Sequence, residues 1–435
     1  MHRMPVISTD IEINRRIEQI CGKFQNYFSP VFFSDEDEAL EYLKYELPDI
    51  NVINFSDPNI DTAKVLEQIK DDPWLHYGGI IGIHARRDRK SVADRMPNSN
   101  IISLIPRGEF VSSFYRVLRI LVQNRQILFQ RDLQNNLLQM ISGSFIMDND
   151  PFNVRTYSNL VTNYLYNMNL VNQDRKERLH VSLFEMLMNA VEHGNCNISY
   201  DEKTQWLATH DTILDLIRQK CNDPAIRAKR VFFSYRITPE RSFFTIRDEG
   251  QGFNWSEQIG TLESGLNLSL HGHGIRMTQH YVDHLRYNES GNEVSFELDH
   301  QLKEANVVPG VFADQQELEV LRGDIVFQEG EESDFLYYIV AGLYNIYSSD
   351  RLISTLTADD IFLGEMSFLL SNRRSATVVA ASAGTLIKIS KNAFVGVIKA
   401  NPHYGIFLAR LLAQRLSRLN IHVASLQQTA DLHMG

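Results

Sequence analysis

The sequence predicts a multidomain protein of the α/β and α+β classes. Its expected parts are a doubly wound parallel sheet, a helical linker, an α/β sandwich and a C-terminal β-barrel with helices. Three observations predict this order: a length of 435 residues, alternating strand and helix patterns in the first quarter of the chain, and glycine-punctuated apolar strands near its end. With 43% hydrophobic and 22% charged residues, the chain has the composition of a folded protein.

Residues 1–125 form the predicted N-terminal domain. Helical patterns at residues 36–46 and 62–69 lie between short apolar runs that indicate strands. The five predicted strands are residues 5–8, 30–33, 51–55, 79–83 and 101–105. Strands that alternate with helices favour a parallel sheet with helices on both faces.

This order of strands resembles the receiver domain of response regulators. Asp10 and Asp57 stand in places that suit the acidic cluster and the phosphoacceptor of that family. His84, however, stands near the position of the family's hydroxyl residue, and Arg107 near that of its lysine. The resemblance therefore implies a degenerate, receiver-like domain used for docking, in preference to a working phosphoacceptor.

Residues 109–145 are predicted to form a helical linker. Apolar residues such as Phe114, Leu118, Leu121 and Leu138 recur there at spacings of three, four and seven. A helix of this kind either pairs with a second copy in a coiled coil or packs on its own neighbours. We expect a dimerisation helix and therefore a homodimer.

Three polar residues recur every four positions in a helical segment of the next domain, residues 146–303. Glu185, Asn189 and His193 place a carboxylate, an amide and an imidazole on one face of a single helix. The intervening residues, such as Leu187, supply an apolar face for packing. The polar face is therefore expected to look into a cavity or into solvent.

Two glycine signatures follow this helix. In the first, Asp248 ends a predicted strand, and Gly250 and Gly252 allow a tight turn against a flat ligand. In the second, Gly272 and Gly274 open a helix, whose free backbone amides favour an anion such as a polyphosphate. A carboxylate at the first signature is suited to accept a hydrogen bond from an exocyclic amine.

In this order, the three motifs resemble the Bergerat-type (GHKL) ATPase fold that gyrase, histidine kinases and anti-sigma-factor serine kinases share. The resemblance implies ATP with Mg²⁺ as ligands. It makes Glu185 the catalytic general base, Asn189 the metal ligand and Asp248 the acceptor for adenine. The rest of the implied ATP-binding set is His193, Gly250, Gly252, Gly272 and Gly274.

Two phosphotransfer chemistries are known for this fold. A histidine kinase needs a phosphoaccepting histidine before the ATP domain, and residues 109–143 contain none. We therefore expect a serine/threonine protein kinase of the anti-sigma-factor type. Its protein substrate or partner would be an anti-sigma-factor antagonist, a sigma factor or another target.

The alternative is a partner-binding switch that responds to ATP without transferring phosphate. The expected ATP lid between Gly252 and Gly274 contains no lysine or arginine, although phosphoryl transfer usually gains from a cation at the γ-phosphate. Residues 195–230 also exceed the compact serine-kinase pattern, and we expect them to hold a partner or to cover the site.

The C-terminal domain, residues 306–435, carries a further set of motifs. Glycines separate apolar strands at turn spacing, which predicts a small antiparallel barrel. Gly364 and Glu365 open a short helix, and Arg374 with Ser375 follows it. A close backbone approach, a carboxylate for a ribose hydroxyl and a cation for a phosphate are the needs of a cyclic nucleotide.

These motifs resemble the cyclic-nucleotide-binding domains of cyclic AMP receptor regulators and kinase regulatory subunits. The resemblance implies that Gly364 and Glu365 bind the ribose and phosphate, and that Arg374 and Ser375 bind the cyclic phosphate. Cyclic AMP (cAMP) is favoured over cyclic GMP (cGMP), although Ser375 is compatible with either. An amphipathic helix over residues 406–420 is expected to cap the ligand or relay its presence.

Composition narrows the function classes further. The net charge of −11 and the lack of a helix-turn-helix segment after the C-terminal domain argue against direct binding to nucleic acid. No apolar run has the length of a membrane span, and the first residues lack a signal-peptide core, so we expect a cytoplasmic protein. Cys21, Cys196 and Cys221 have neither disulfide nor zinc spacing.

Overall fold

The structure is a computed structural model. It describes residues 2–72, 75, 78–88, 92, 99–124, 140–168, 170–210, 212–238, 240–253, 273–300, 306, 308–402, 404–405, 408–409 and 412. Contacts divide the chain into two compact units, one of residues 101–105 and 109–302 and the other of residues 1–100, 106–108 and 303–435.

The N-terminal residues form a five-stranded sheet whose strand order is β2-β1-β3-β4-β5. The strands are β1 His2–Ile7, β2 Phe28–Phe33, β3 Ile50–Asn54, β4 Gly79–His84 and β5 Ile101–Pro106. The helices between them are α1 Ile11–Cys21, α2 Glu36–Glu46 and α3 Thr62–Asp71. β1 pairs in parallel with β2 and β3, β3 pairs in parallel with β4, and every residue of β3 and β4 is buried. The predicted N-terminal parallel sheet is therefore confirmed.

The helix α4, Phe110–Gln123, occupies the first part of the predicted linker. It buries Phe114, Val117 and Leu121 within the chain, so this apolar face packs on its own neighbours. The predicted pattern continues into residues 125–139, which lie outside the described part of the chain.

The unit of residues 101–105 and 109–302 contains an antiparallel sheet with the strand order β6-β7-β8-β10-β9. Its strands are β6 Ile141–Met147, β7 Val231–Ile237, β8 Arg241–Arg247, β9 Asp283–Tyr287 and β10 Glu293–Asp299. β6 begins inside the predicted helical linker of residues 109–145, because this segment pairs along its whole length with β7 as the edge strand of the sheet. The long helices α5 Pro151–Asn167 and α6 Gln173–Asn189 follow β6.

Between α6 and β7 the chain forms a π-helical turn, Ala190–Asn195, and then three short helices. These are α7 Tyr200–Leu207, α8 Leu214–Lys220 and α9 Pro224–Ala228, and they make up the segment that exceeds the compact kinase pattern. The helix α10, His273–Tyr281, lies between β8 and β9.

The cysteines are free thiols, but two of them meet in space. Cys196 follows the π-turn directly, and its thiol hydrogen-bonds with that of Cys221 at the end of α8. Burial raises the pKa of Cys196 to about 12, so its thiol stays protonated at neutral pH.

The C-terminal residues form two four-stranded antiparallel sheets, ordered β11-β18-β13-β16 and β12-β17-β14-β15. The strands are β11 Gln316–Val320, β12 Ile325–Phe327, β13 Phe335–Ala341, β14 Tyr344–Ser348, β15 Arg351–Leu356, β16 Phe362–Leu363, β17 Thr377–Ala380 and β18 Gly384–Ser390. A buried cluster that includes Phe327, Ile339 and Tyr344 joins the two sheets. A C-terminal antiparallel β-domain of two sheets is thus confirmed, and its closure into a barrel stays a prediction.

Two helices complete this domain, α11 Glu365–Leu370 and α12 Lys391–Ala400. Phe368 of α11 and Phe394 of α12 pack with Leu336 of β13 in a second buried cluster. Residues of the expected closing helix, 406–420, lie mostly outside the described part of the chain. Across the described residues, no helix combines the length and the apolar character that a membrane span requires.

Candidate functional site

Two of the predicted residues lie where the α-helical winding of α6 changes to π-helical winding. Asn189 is the last residue of α6, and His193 lies within the π-turn that continues it. The Nδ1 atom of His193 is 2.6 Å from the carbonyl oxygen of Ile198, and its ring packs on that of Tyr200 with centroids 4.3 Å apart. These contacts fold the chain that follows the π-turn back against the helix.

A cavity of about 230 Å³ opens at this end of α6. Its walls come from α6, the start of α7, β8 with its following loop, α10 and β10. Ile246, Ile275 and Val294 give it an apolar lining, which suits a flat, largely apolar ring.

The structure brings four of the predicted ATP-binding residues to this cavity, namely Asn189, His193, Asp248 and Gly252. Glu185 and Gly250 are not among its described lining residues. Gly274 belongs to the first turn of α10, and Gly272 lies outside the described part of the chain.

Asp248 is held between two glycines. The backbone N–H of Gly250 donates to its Oδ1 at 2.8 Å. A methyl group on Gly194 would stand 2.3 Å from the carboxyl carbon of Asp248, so this approach requires glycine. Burial raises the pKa of Asp248 to about 6, although the Gly250 amide and the charge of Lys229 act in the opposite direction.

The loop after β8 also depends on a glycine. Gly252 has a φ of +75°, and a Cβ atom there would lie 1.8 Å from the carbonyl oxygen of Ser290. The first predicted signature thus needs Gly252 for backbone packing against the β9–β10 turn, in addition to any contact with a ligand.

Asn195 is a site residue that the sequence motifs did not indicate. It is fully buried, its Oδ1 accepts from the N–H of Glu249 at 2.8 Å, and its Nδ2 donates to Oδ1 of Asn149 at 2.8 Å. Asn195 therefore connects the end of the π-turn to the residue after Asp248. The sequence carries a weak signal for it, an asparagine directly after the glycine at position 194.

A lysine of the inserted helix α7 reaches a carboxylate of the π-turn. The Nζ atom of Lys203 lies 2.5 Å from Oε2 of Glu192, whose side chain is 3% exposed. Burial raises the pKa of Glu185, and the charge of Lys203 opposes that shift while the charge of Glu192 adds to it. The sequence of the lid does not indicate Lys203, because this residue lies in the insertion and meets Glu192 only through the fold.

ATP affinity is expected to follow the ionisation of Asp248. An ionised carboxylate accepts a hydrogen bond from the exocyclic amine of adenine, whereas a protonated carboxyl group is a poorer acceptor. Because the pKa of Asp248 is about 6, the affinity should fall as the pH falls through that value, by about 10-fold between about pH 7.5 and about pH 5. Calorimetric titration with ATP at several pH values measures this slope.

The variant Asp248→Asn is the control, because its amide does not titrate. We expect weaker ATP binding at neutral pH and a flatter pH dependence, and an unchanged slope would contradict the assignment.

The carboxyl group of Asp248 affects folding stability in the opposite sense. Its pKa rises from 3.8 to about 6 on folding, so the folded state binds more protons and stability should decrease as the pH rises through that window.

The second site lies at the start of α11. Gly364 has a φ of +76°, and a Cβ atom there would lie 2.3 Å from Nη1 of Arg374, so glycine admits the guanidinium group. Nη1 of Arg374 donates to the carbonyl oxygen of Gly364 at 3.0 Å and to Oγ of Ser367 at 3.2 Å. Its Nη2 donates to the carbonyl oxygen of Phe335 at 2.5 Å.

Arg374 is a buried cation, and one of its N–H donors makes no hydrogen bond to the described residues. Its side chain lies over the ring of Phe327, 4.2 Å from the centroid, and this donor is the buried Nε. Burial lowers its pKa, and neighbouring groups that include Tyr337, Glu331 and Glu365 oppose that shift. Glu365 is also buried, at 5% exposure, whereas Ser375 is exposed.

The carboxyl edge of the N-terminal sheet holds the predicted acidic residues. Asp57 is buried and accepts from the backbone N–H of Thr9 at 2.5 Å and from its Oγ1 at 2.8 Å. Asp10 forms an ion pair of 2.6 Å with Arg107, and His84 is buried. Groups of the domain itself therefore engage both carboxylates.

Comparison with protein families agrees with the two nucleotide sites. The family model described as a histidine kinase-like ATPase domain matches residues 147–298. The model described as a cyclic nucleotide-binding domain matches residues 317–401. The chain therefore contains a histidine kinase-like ATPase domain and a cyclic nucleotide-binding domain.

Individual relatives match over smaller parts. A cGMP-dependent protein kinase of Plasmodium berghei is 32% identical over 77 residues, which are 18% of this chain and 9% of that protein. The type II regulatory subunit of the cAMP-dependent protein kinase of Drosophila melanogaster is 33% identical over 78 residues, 18% of this chain and 20% of the relative. A CRP-like cAMP-activated global transcriptional regulator of Mycobacterium tuberculosis is 27% identical over 128 residues, 28% of this chain and 57% of that protein.

Among solved structures, the catabolite activator protein of Thermus thermophilus is 24% identical, with a TM-score of 0.25, and covers 27% of this chain and 57% of its own. The chain thus spans between about a tenth and about three fifths of the length of these similar proteins.

Proposed function

We propose that this chain is an ATP-binding signalling protein that responds to cyclic nucleotide, and that its ATPase domain is a serine/threonine protein kinase of the anti-sigma-factor type. The observation that carries the proposal is the shared cavity of Asn189, His193 and Asp248, which joins an amide, an imidazole and a buried carboxylate to an apolar lining. A second domain with a buried arginine at a glycine turn supplies the regulatory ligand site.

In the proposed ATP complex, adenine lies against Ile246 and Val294 and donates its amine to Asp248. The triphosphate then extends toward Asn189 at the end of α6. Mg²⁺ binds through phosphates and waters with few protein ligands, so the single amide oxygen of Asn189 fits the role of its protein ligand. The metal, when bound, would neutralise charge on the β- and γ-phosphates.

Glu185 lies one helical turn before Asn189 and is the proposed general base. Its carboxylate accepts the proton of a serine or threonine hydroxyl on the protein substrate. The hydroxyl oxygen forms a bond to the γ-phosphorus as the bond to the β,γ-bridging oxygen breaks, and ADP leaves. The remaining groups of the site act by positioning the phosphates and the attacking hydroxyl.

In the C-terminal domain we place the cyclic phosphate against Arg374 and Ser375, and the ribose hydroxyl against Glu365. Arg374 already lies beside the glycine turn at Gly364, and its unused Nε gives it a further donor for a phosphate oxygen. We propose cAMP as the ligand. The buried carboxylate of Glu365 is a suitable acceptor for the 2′-hydroxyl.

The N-terminal domain is proposed to act as a docking module of the receiver type. Asp57 accepts two hydrogen bonds from Thr9, and Asp10 is paired with Arg107, so the residues at the family's acidic positions already have partners. This arrangement supports binding of a protein partner, such as an anti-sigma-factor antagonist, over phosphate acceptance. A homodimer remains our proposal for the assembly.

The decisive experiment measures label transfer and binding in the same protein. Calorimetry with ATP is run with and without cAMP or cGMP, and γ-labelled ATP is supplied with candidate substrate proteins. We expect ATP to bind, label to reach a serine or threonine, and one cyclic nucleotide to change the ATP affinity by about 5- to 100-fold.

Each part of the proposal has its own contrary result. ATP binding with partner capture but no label transfer would replace the kinase by the non-catalytic switch, which the absence of lysine and arginine from residues 253–273 favours. Equal ATP affinities in all three conditions would remove the coupling. No ATP binding would leave an inactive scaffold.

A further inference from the structure

One wall of the ATP cavity comes from outside the motifs that define the site. Ile198, Ser199 and Tyr200 line the cavity, and they belong to the segment that begins the insertion. Tyr200 is the first residue of α7, and Ser199 caps that helix by accepting from the N–H of Glu202 at 3.1 Å. The insertion therefore contributes directly to the surface that a ligand would contact.

Tyr200 is fixed in the cavity wall by its neighbours. Its ring packs on that of His193, with centroids 4.3 Å apart and planes at 42°. Burial raises the pKa of its hydroxyl, which therefore stays neutral in the physiological range. A neutral, preplaced aromatic ring is a suitable partner for a planar base, because it loses little side-chain freedom on binding.

Other aromatic rings of the cavity lie near Asp248. Tyr287 is half-buried and donates from its hydroxyl to Sδ of Met186 at 3.6 Å, and Phe253 packs on it with centroids 5.2 Å apart. Tyr200, Asp248 and Tyr287 all line this cavity. This is the region that the proposed function assigns to adenine.

The helix that carries Tyr200 has little packing of its own. No residue of α7 is fully buried. Its contacts include the ion pair of Lys203 with Glu192 at 2.5 Å, the ion pair of Glu202 with Lys220 of α8 at 2.8 Å, and the packing of Tyr200 on His193. Nε1 of Trp206 also donates to the carbonyl oxygen of Thr212 at 2.9 Å. A base bound against Tyr200 would add a further contact to this weakly packed helix.

We propose that Tyr200 contacts the nucleotide base, so that the inserted helix α7 completes the binding site and orders around the bound ligand. The inference rests on the proposed function, because it assumes that the cavity takes a nucleotide. The chemistry that it selects is an adenine base, because an aromatic ring offers a stacking surface and the carboxylate of Asp248 accepts from an amine. A guanine base would present a carbonyl oxygen to the same carboxylate and should bind more weakly.

Three variants of the full-length chain test the assignment. Tyr200→Ala should weaken ATP and ADP binding by the same factor, about 10-fold, which is a typical loss for a base-stacking aromatic residue. Tyr200→Phe retains the ring and should stay within about 2-fold of the wild type. Leu207→Ala, at an exposed position of the same helix, is the matched control and should bind like the wild type.

Inorganic tripolyphosphate separates a base contact from a loss of structure. Measured as a competitor of ATP, it should bind Tyr200→Ala and the wild type equally, since it has no base. Equal losses for ATP and tripolyphosphate would overturn the proposal, because they would mean that the substitution disturbed the cavity as a whole.

Hydrogen exchange on the wild type provides a test without any substitution. ATP should slow exchange of the amides of α7, whereas tripolyphosphate should leave them unchanged. ATP binding with unaltered α7 exchange, or with the same affinity in Tyr200→Ala, would overturn the inference and leave the proposed function intact. No binding of ATP by the wild type would instead remove the proposed function, and this inference with it.

Discussion

Glu185→Gln is expected to lower the rate of phosphoryl transfer by about 10²- to 10⁴-fold, the range associated with loss of a general base. Glutamine preserves the size of the side chain but has no proton-accepting carboxylate. The affinity for ATP should stay within about 2-fold of the wild type, because Glu185 is not among the described residues that line the cavity. Single-turnover label transfer, combined with calorimetry, separates the two quantities.

The wild-type rate should also depend on pH through this group. Burial raises the pKa of Glu185, and the opposing charge of Lys203 does not cancel the shift. The rate should therefore fall on the acidic side at a higher pH than an ordinary glutamate would give. Glu177→Gln is the matched control, since Glu177 is an exposed glutamate of the same helix. A loss of ATP affinity equal to the loss of rate in Glu185→Gln would assign Glu185 to binding and not to catalysis.

The spacing of Glu185, Asn189 and His193 carried enough information to predict one side of the site. A four-residue recurrence of polar groups among apolar ones has few solutions other than a helix with a polar face at a cavity. Asn189 and His193 do line the cavity. The spacing did not predict the π-turn at residues 190–195, because a local change from α- to π-helical winding does not alter a sequence periodicity of three or four residues.

The ion pair of Lys203 with Glu192 could not be predicted from the sequence for a related reason. Glu192 lies within the π-turn and Lys203 lies in α7, and they meet only because the chain folds back at Ile198. The lid residues alone therefore predict a site without a cation. Lys203 places a positive charge beside the π-turn that continues α6, and its pairing with Glu192 is a reason to test both the kinase and the switch.

The boundary of the ATPase sheet was obscured by a single glycine. In β6, the buried positions Ile141, Phe145 and Met147 follow the two-residue period of a strand, but the period is interrupted at Gly143. The structure explains the interruption, because a Cβ atom at Gly143 would lie 2.3 Å from the hydroxyl oxygen of Tyr235 on the paired strand. The ring of Tyr235 occupies the space where an apolar side chain at position 143 would lie. Such a side chain would have completed the strand pattern in the sequence.

The N-terminal sheet was easier to predict, because its central strands are buried on both faces. β4 is apolar apart from its glycines and a final histidine, and β3 has apolar residues at three of its five positions, which distinguishes both from the amphipathic helices between the strands. Its chemistry was harder to predict. The ion pair of Asp10 with Arg107 joins the segments that follow the first and fifth strands, although β3 and β4 separate those strands in the sheet, so the strand order alone does not predict this contact.

Arg374→Ala should lower the affinity for cAMP by about 100-fold or more, because it removes the cation assigned to the cyclic phosphate. Arg374 is 3% exposed, so a phosphate bound to it would be shielded from water and the interaction would be strong. The substitution also leaves the carbonyl oxygens of Gly364 and Phe335 without this donor. We therefore expect the domain to lose about 1–3 kcal/mol of stability as well.

The two effects are separated by neighbouring variants and by the choice of measurement. Arg373→Ala removes an exposed arginine that donates to the carbonyl oxygen of Gly330 at 2.9 Å, and it should leave the cAMP affinity within about 2-fold. Arg374→Lys keeps a positive charge but loses the planar fork, so its affinity should lie between those of wild type and Arg374→Ala. Affinities are measured by titration at a temperature where each variant is folded by calorimetry. Wild-type affinity in a folded Arg374→Ala protein would show that the phosphate binds elsewhere, because no rearrangement of the remaining neutral donors replaces a buried charge at equal strength.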